Sequence, residues 1–149
     1  MKTLIISFLA FSGLSITQFG FAKNNVLIDG YDPVSYFING PLKGSEKITI
    51  DYKGTTIWFV SESNKEKFKA NPQKYYPKYG GWCAYAMGAD GSKVDVNPKT
   101  YEIREDGLYL FYNKLGTNTL NMWKTEGAAT LKQKADKNWS KLEDKRPND

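Results

Sequence analysis

Ile48-Thr49-Ile50-Asp51-Tyr52-Lys53-Gly54-Thr55-Thr56-Ile57-Trp58-Phe59-Val60 is the stretch that decides the fold class. Ile48 to Tyr52 alternates apolar and polar residues with period two, and Thr56 to Val60, rich in β-branched and aromatic residues, is its expected partner strand. Lys53-Gly54-Thr55 lies between them as a turn. Alternation sends successive side chains to opposite faces of a pleated strand, so the pair predicts a β-hairpin with one face toward a core. A second hairpin is predicted where Lys99 to Arg104 and Leu108 to Tyr112 flank Asp106-Gly107, because Asp-Gly between alternating apolar runs is a strong hairpin signal.

Helical patterns surround the strands. Ser61 can cap a helix running through Lys65 to Ala70, with Phe68 on its inner face and Asn64 where Glu or Gln would complete a capping box. Pro72 opens a further short turn toward Tyr75. Upstream, Asp32 precedes Pro33 and is pushed out of the helical region, and an Asx-type turn by its side chain explains it locally. Val34, Phe37 and Ile38 then follow at helical spacing until Asn39-Gly40-Pro41. Beyond Gly116, Leu120, Trp123 and Lys124 mark one helix, and Ala128, Leu131, Ala135 and Trp139 another, with Gly127 between. The expected fold is α+β: a small single domain with two β-hairpins forming an antiparallel sheet, packed by a short central helix and two C-terminal helices.

The start of the chain reads as an address. Lys2 is followed by an apolar run from Leu4 to Ile16, and Gly20-Phe21-Ala22 places small residues at a cleavage site. That order is the pattern of a secretory signal peptide over residues 1–22, and the run is short for a membrane span. The expectation is an exported chain, periplasmic or secreted, with no membrane span after cleavage. Its domain occupies residues 23–149, with a core at about 29–142 and a frayed charged tail at 143–149. Charge is interleaved, with 21 Lys and Arg against 16 Asp and Glu and no basic block, so nucleic acid is not an expected partner. One cysteine cannot form an internal disulfide, so packing must stabilise the domain, and an aromatic content of 15% can supply it.

Chemistry concentrates in Tyr79-Gly80-Gly81-Trp82-Cys83-Ala84-Tyr85-Ala86-Met87, which holds the single cysteine of a chain without histidine. Without imidazole the Ser-His-Asp and Cys-His designs are excluded, and neither a zinc nor a haem motif is present. Cys83 and Met87, four apart, would share a helix face, and thiolate with thioether suits Cu(I), with Met122 as a third sulfur. Tight core packing is the competing account of both residues. A reactive thiol at a helix N-terminus is a further reading, although no second cysteine could resolve an oxidised form. Tyr31, Tyr36, Tyr79 and Tyr85 are candidates to line a pocket for a flat or cationic ligand, against the alternative that they simply build the core.

The strings Gly30-Tyr31-Asp32-Pro33-Val34-Ser35-Tyr36-Phe37, Trp58-Phe59-Val60-Ser61, Ser61 to Tyr75 and Tyr79 to Gly88, with the later Leu108 to Asn113, together resemble the YHS domain family in its exported, stand-alone branch. The resemblance covers roughly Asp29 to Leu142. Compact members of that family resemble heavy-metal modules that accompany copper-pumping ATPases and mercury-handling proteins, with a Phe-Cys-Ser-x-x-Cys-Lys-x-x-Phe pattern. Here the matching stretch is Phe59 to Phe68, with Val60 and Asn64 in place of both thiols. The family's histidine is absent as well. The resemblance therefore implies the fold and not that metal site. The expected function is a non-enzymatic binding or accessory module, with Cu(I) handling through Cys83 and Met87 and a metal ion or another exported protein as partner. Two alternatives stand beside it: a thiol-dependent redox or stress protein, and a structural or protein-interaction domain without a small ligand.

Overall fold

A computed structural model describes residues 25–143; the leader expected at 1–22 and most of the tail, residues 144–149, lie outside the described residues. The fold is α+β, as expected. The first hairpin joins β1 (Ser45–Tyr52) to β2 (Thr55–Phe59). Its turn is Lys53-Gly54 alone, since Tyr52 pairs with Thr55. Both turn residues are left-handed, with φ of 49° and 74°, the pairing whose twist matches that of the flanking strands.

The second hairpin joins β3 (Asn97–Arg104) to β4 (Gly107–Phe111), with Glu105 and Asp106 as the turn and Gly107 already in the strand. All five residues of β4 are buried, so that strand is covered on both faces. The two hairpins are separate two-stranded ladders rather than one hydrogen-bonded sheet, and a third small ladder pairs β5 (Asn113–Lys114) with β6 (Thr117–Asn118). What unites the hairpins is side-chain packing: Ile57 and Phe59 of β2 share a core cluster with Leu108 and Leu110 of β4.

Helix α1 (Glu62–Ala70) starts where the sequence predicts, with the Ser61 hydroxyl accepting the Asn64 N–H at 3.1 Å. It buries Phe68 against Phe59. A short α2 (Pro72–Tyr75) follows, and α3 (Ala84–Ala89) begins directly after Cys83. Asn118 caps α4 (Thr119–Glu126), and α5 (Ala128–Glu143) closes the described chain. A second core cluster, centred on Trp123, Tyr109, Phe111 and Met87, lies between β4 and these last helices. No helix among the described residues is long and apolar enough to cross a membrane.

The structure contains a repeat that the sequence reading missed. Ile28, Asp29 and Gly30 are consecutively left-handed, and so are Tyr79, Gly80 and Gly81. Each triplet ends with a backbone bond from the next residue, Tyr31 N–H to Ile28 O and Trp82 N–H to Tyr79 O. Two residues on from each glycine, the Asp32 N–H meets Leu42 O and the Cys83 N–H meets Val94 O. An eight-residue strand, a two-residue turn and a five-residue strand then follow in both halves, with the same slip in register. Finally, Asp32 Oδ2 accepts the N–H of Val60, just after β2, while Cys83 Sγ accepts the N–H of Tyr112, just after β4. Asp32 and Cys83 are therefore equivalent positions. In sequence the relation is marked by the Gly-aromatic dipeptides Gly30-Tyr31 and Gly81-Trp82 and by Phe59 and Phe111, which end β2 and β4.

Candidate functional site

Cys83 is fully buried, at 0% exposure, and its hydrogen bonding is closed. The Tyr112 N–H donates to Sγ at 3.4 Å, and the Thr119 hydroxyl lies 3.3 Å from Sγ while donating to Tyr112 O at 2.9 Å. With that hydroxyl hydrogen committed, the thiol is left to donate to Thr119, completing a ring that ties α3 to the end of β4 and the start of α4. Met87 is also fully buried, but in the other core cluster, with Tyr109, Phe111 and Trp123. Cys83 directly precedes α3, and the two side chains pack in different core clusters. Met122 is half-buried on α4. No group of three or more Cys, Asp or Glu able to hold a metal occurs among the described residues.

At the equivalent position Asp32 carries a denser set of bonds. Its Oδ1 accepts the N–H of Val34 at 2.8 Å, the Asx turn expected from Asp-Pro, and that of Ser35 at 3.3 Å. Its Oδ2 accepts the Val60 N–H at 2.9 Å and the Asn64 Nδ2 at 2.7 Å. Asp32 thus ties the N-terminal turn to the segment entering α1 through a carboxylate-to-amide lock at Val60 and Asn64. Asn64 does not reach back to Ser61 as a capping-box partner would.

The four candidate tyrosines do not converge. Tyr31 is half-buried beneath the Lys43 ammonium, which lies 5.3 Å from its ring. Tyr36 is buried and donates to Pro98 O at 2.7 Å; burial holds its hydroxyl above the ordinary tyrosine range. Tyr85 donates to Glu126 at the far end of α4. Tyr79 borders a substantial cavity. Its hydroxyl donates to Asp136 at 2.9 Å, and burial followed by that bond keeps it protonated well above the usual range.

That cavity is an open cleft of about 620 Å³ between the β1–β2 hairpin with α2 on one side and the Lys78–Gly81 turn with α5 on the other. Tyr52, Tyr76, Trp82 and Trp139 supply its aromatic walls. Trp82 and Trp139 are half-buried, in contrast to Trp123 at 0%. The floor depends on Gly80, where a Cβ would stand 3.1 Å from the Trp139 ring. A smaller recess of about 290 Å³ continues beyond Trp82, lined by the Leu27–Asp29 turn and by Asp95. The left-handed Ile28 and Tyr79 thus both border the cleft system. A non-glycine residue in that region costs of order 1–3 kcal/mol, and such strain gathers at ligand clamps.

A polar network braces one wall. Asp106 in the β3–β4 turn accepts the Tyr109 hydroxyl at 2.9 Å and pairs with Lys132 at 3.1 Å and Lys78 at 3.6 Å, while Lys132 also pairs with Asp136 at 2.8 Å. Burial alone would raise the Asp106 carboxyl, but the bonds from Tyr109 and Lys132 and the two ammonium charges outweigh it and hold it below its ordinary 3.8. A lowered folded value means that the stabilisation is present above pH 3.8 and is lost as the pH falls below it through the folded value. Asp106→Asn should therefore lower stability at pH 7 by no more than about 1 kcal/mol, since the group is partly exposed, and the gap to wild type should close in acid. Urea titrations at pH 7 and near pH 3 read both effects; a gap unchanged in acid would rule out the ionic account.

Trp139, which its spacing placed in the core, and Trp82 are the site residues that sequence reasoning missed. Their composition signal was present, but periodicity does not separate an indole facing a core from one facing a cleft. Comparison with known proteins adds no relative: no family model, no curated protein and no solved structure matches this chain.

Proposed function

We propose that this chain is a non-enzymatic, YHS-like binding module whose ligand seats in the cleft walled by Tyr52, Tyr76, Trp82 and Trp139. One observation carries the reading: two indoles border an open concavity at half exposure in a domain that fully buries Trp123. Leaving aromatic surface in contact with water forgoes about 25 cal/mol for each Å² not buried, and a ligand would recover it. Export through the leader would give the module access to ligands outside the cytoplasm. Soft-metal handling and thiol chemistry have less support, because the Cys83 thiol is buried and already bonded to Thr119 and Tyr112.

A ligand-observed NMR screen of the purified protein against small aromatic and non-aromatic molecules tests this. Aromatic hits are expected, weakened about fivefold by Trp139→Ala, since stacking is worth of order 1 kcal/mol. Thermal melts of the variant verify that it is folded. Hits insensitive to both Trp82→Ala and Trp139→Ala would defeat the cleft reading. Cu(I) titrated into the reduced protein is expected to find no stoichiometric site, and binding abolished by Cys83→Ala would restore the metal reading.

A further inference from the structure

We infer that the cleft selects a flat aromatic dianion, with the two charges received by Lys53 and Lys93; this rests on the cleft being the binding site. Lys93 holds its ammonium 6.0 Å from the Trp82 ring and 5.9 Å from the Trp139 ring. On the opposite side, Lys53 lies 5.8 Å from the Tyr52 ring and 5.5 Å from the Tyr76 ring. Both lysines line the cleft. A ring face attracts an ammonium through its quadrupole, which fixes position without neutralising charge or accepting conventional hydrogen bonds. Neither ammonium has a carboxylate partner among the described residues, so each keeps its N–H donors for an incoming anion.

The other charges of the cleft are already spent. Asp136 is held by Lys132 and Tyr79, and Lys78 by Asp106. Asp29 and Asp95 lie in the recess beyond Trp82, so the sign of the charge changes across that indole. An anion is thereby directed to the larger chamber, where the aromatic walls offer stacking faces and the lysines stand at two sides. Holding each cation between two rings removes much of the rotamer entropy that an exposed lysine otherwise loses on binding.

Calorimetric titration with naphthalene-2,6-dicarboxylate, 2-naphthoate, the neutral 2,6-dimethanol analogue and a naphthylmethyl trimethylammonium salt tests the charge rule on one ring system. The dianion is expected to bind about tenfold tighter than the neutral analogue, with the monoanion between them. Lys53→Gln and Lys93→Gln should each weaken the dianion about threefold and the neutral analogue less, and added salt should weaken the dianion selectively. Equal affinity for dianion and neutral analogue, both lost in Trp139→Ala, would overturn the charge rule while the cleft reading stood. Tightest binding of the trimethylammonium probe would overturn it in favour of a cation cage. Binding by none of the four probes also overturns it, and the cleft reading then falls only if the broader screen is empty too.

Discussion

Asp32→Ala is expected to destabilise the domain by about 4 kcal/mol, the largest effect of a single polar substitution in this protein. The carboxyl is wholly buried and accepts from Val34, Ser35, Val60 and Asn64. Removing it strands three of these donors, the Val34 and Val60 N–H groups and Asn64 Nδ2, because the Ser35 N–H also donates to Asp32 O at 3.1 Å. An unsatisfied buried donor costs about 1–3 kcal/mol before relaxation. Two of those donors belong to the segment entering α1, so the N-terminal turn and the first helix lose their joint attachment. Asp32→Asn keeps one acceptor oxygen but turns an NH₂ toward other N–H groups, and about half the loss is expected. Asn64→Ala, which removes one donor with its acceptor still engaged elsewhere, should cost about 1–2 kcal/mol. Urea unfolding followed by far-UV circular dichroism reads all three, and the Asp32 and Asn64 effects should be non-additive because the groups touch. Wild-type stability in Asp32→Ala would eliminate the lock; if that variant does not fold, the Asn variant and Asn64→Ala still decide.

Gly88→Ala is the second large effect, and its sign separates local from tertiary control. By helix propensity alone, alanine in α3 would stabilise by up to about 1 kcal/mol. In the structure a Cβ at Gly88 would stand 2.5 Å from Leu131 O and 3.1 Å from Leu131 C, both backbone atoms of α5. Neither can swing aside, so α3 and α5 must part. Separation would loosen Met87 and Ala135 in the core and the bond from Asn138 Nδ2 to Met87 O at 2.9 Å. Overpacking of this kind costs about 1–3 kcal/mol and occasionally more, so a net loss near 2 kcal/mol is expected. Thermal unfolding should show a lower midpoint, and a higher one would mean that the helices are not in contact here. Because α5 also carries Trp139, the same variant should weaken ligands of the cleft.

The local signals in the sequence were read well. The turn after Tyr52, the Ser61 cap, the Asx turn at Asp32 and the break at Gly127 each depend on residues within a few positions, and all are present, the turn being shorter by Thr55 than the expected Lys53-Gly54-Thr55. Boundaries moved where two solutions were close in energy: the second hairpin turns on Glu105-Asp106 instead of Asp106-Gly107. The inner repeat was not legible, because its two halves share backbone conformation and hydrogen bonds while their equivalent acceptors, Asp32 and Cys83, differ in chemistry.

The candidate site was legible only in fragments. Tyr79 was singled out and borders the cleft, whereas Tyr31, Tyr36 and Tyr85 are dispersed over the surface and core. Trp123 and Trp139 sit at similar spacing in amphipathic helices, yet one is enclosed by Tyr109 and Phe111 and the other opens to a concavity. Nothing within either helix distinguishes them.

By itself, the sequence determined the class of fold, its two main hairpins and their capping helices, since period, turn chemistry and caps act over a few residues of chain. Only the tertiary structure decided which sulfur faces which core, that Asp32 joins segments 28 and 32 residues away, and that Lys53 and Lys93 flank one cleft. Those outcomes follow from where distant segments come to rest, and that is set by the simultaneous burial of all the apolar faces, not by the preferences of any one of them.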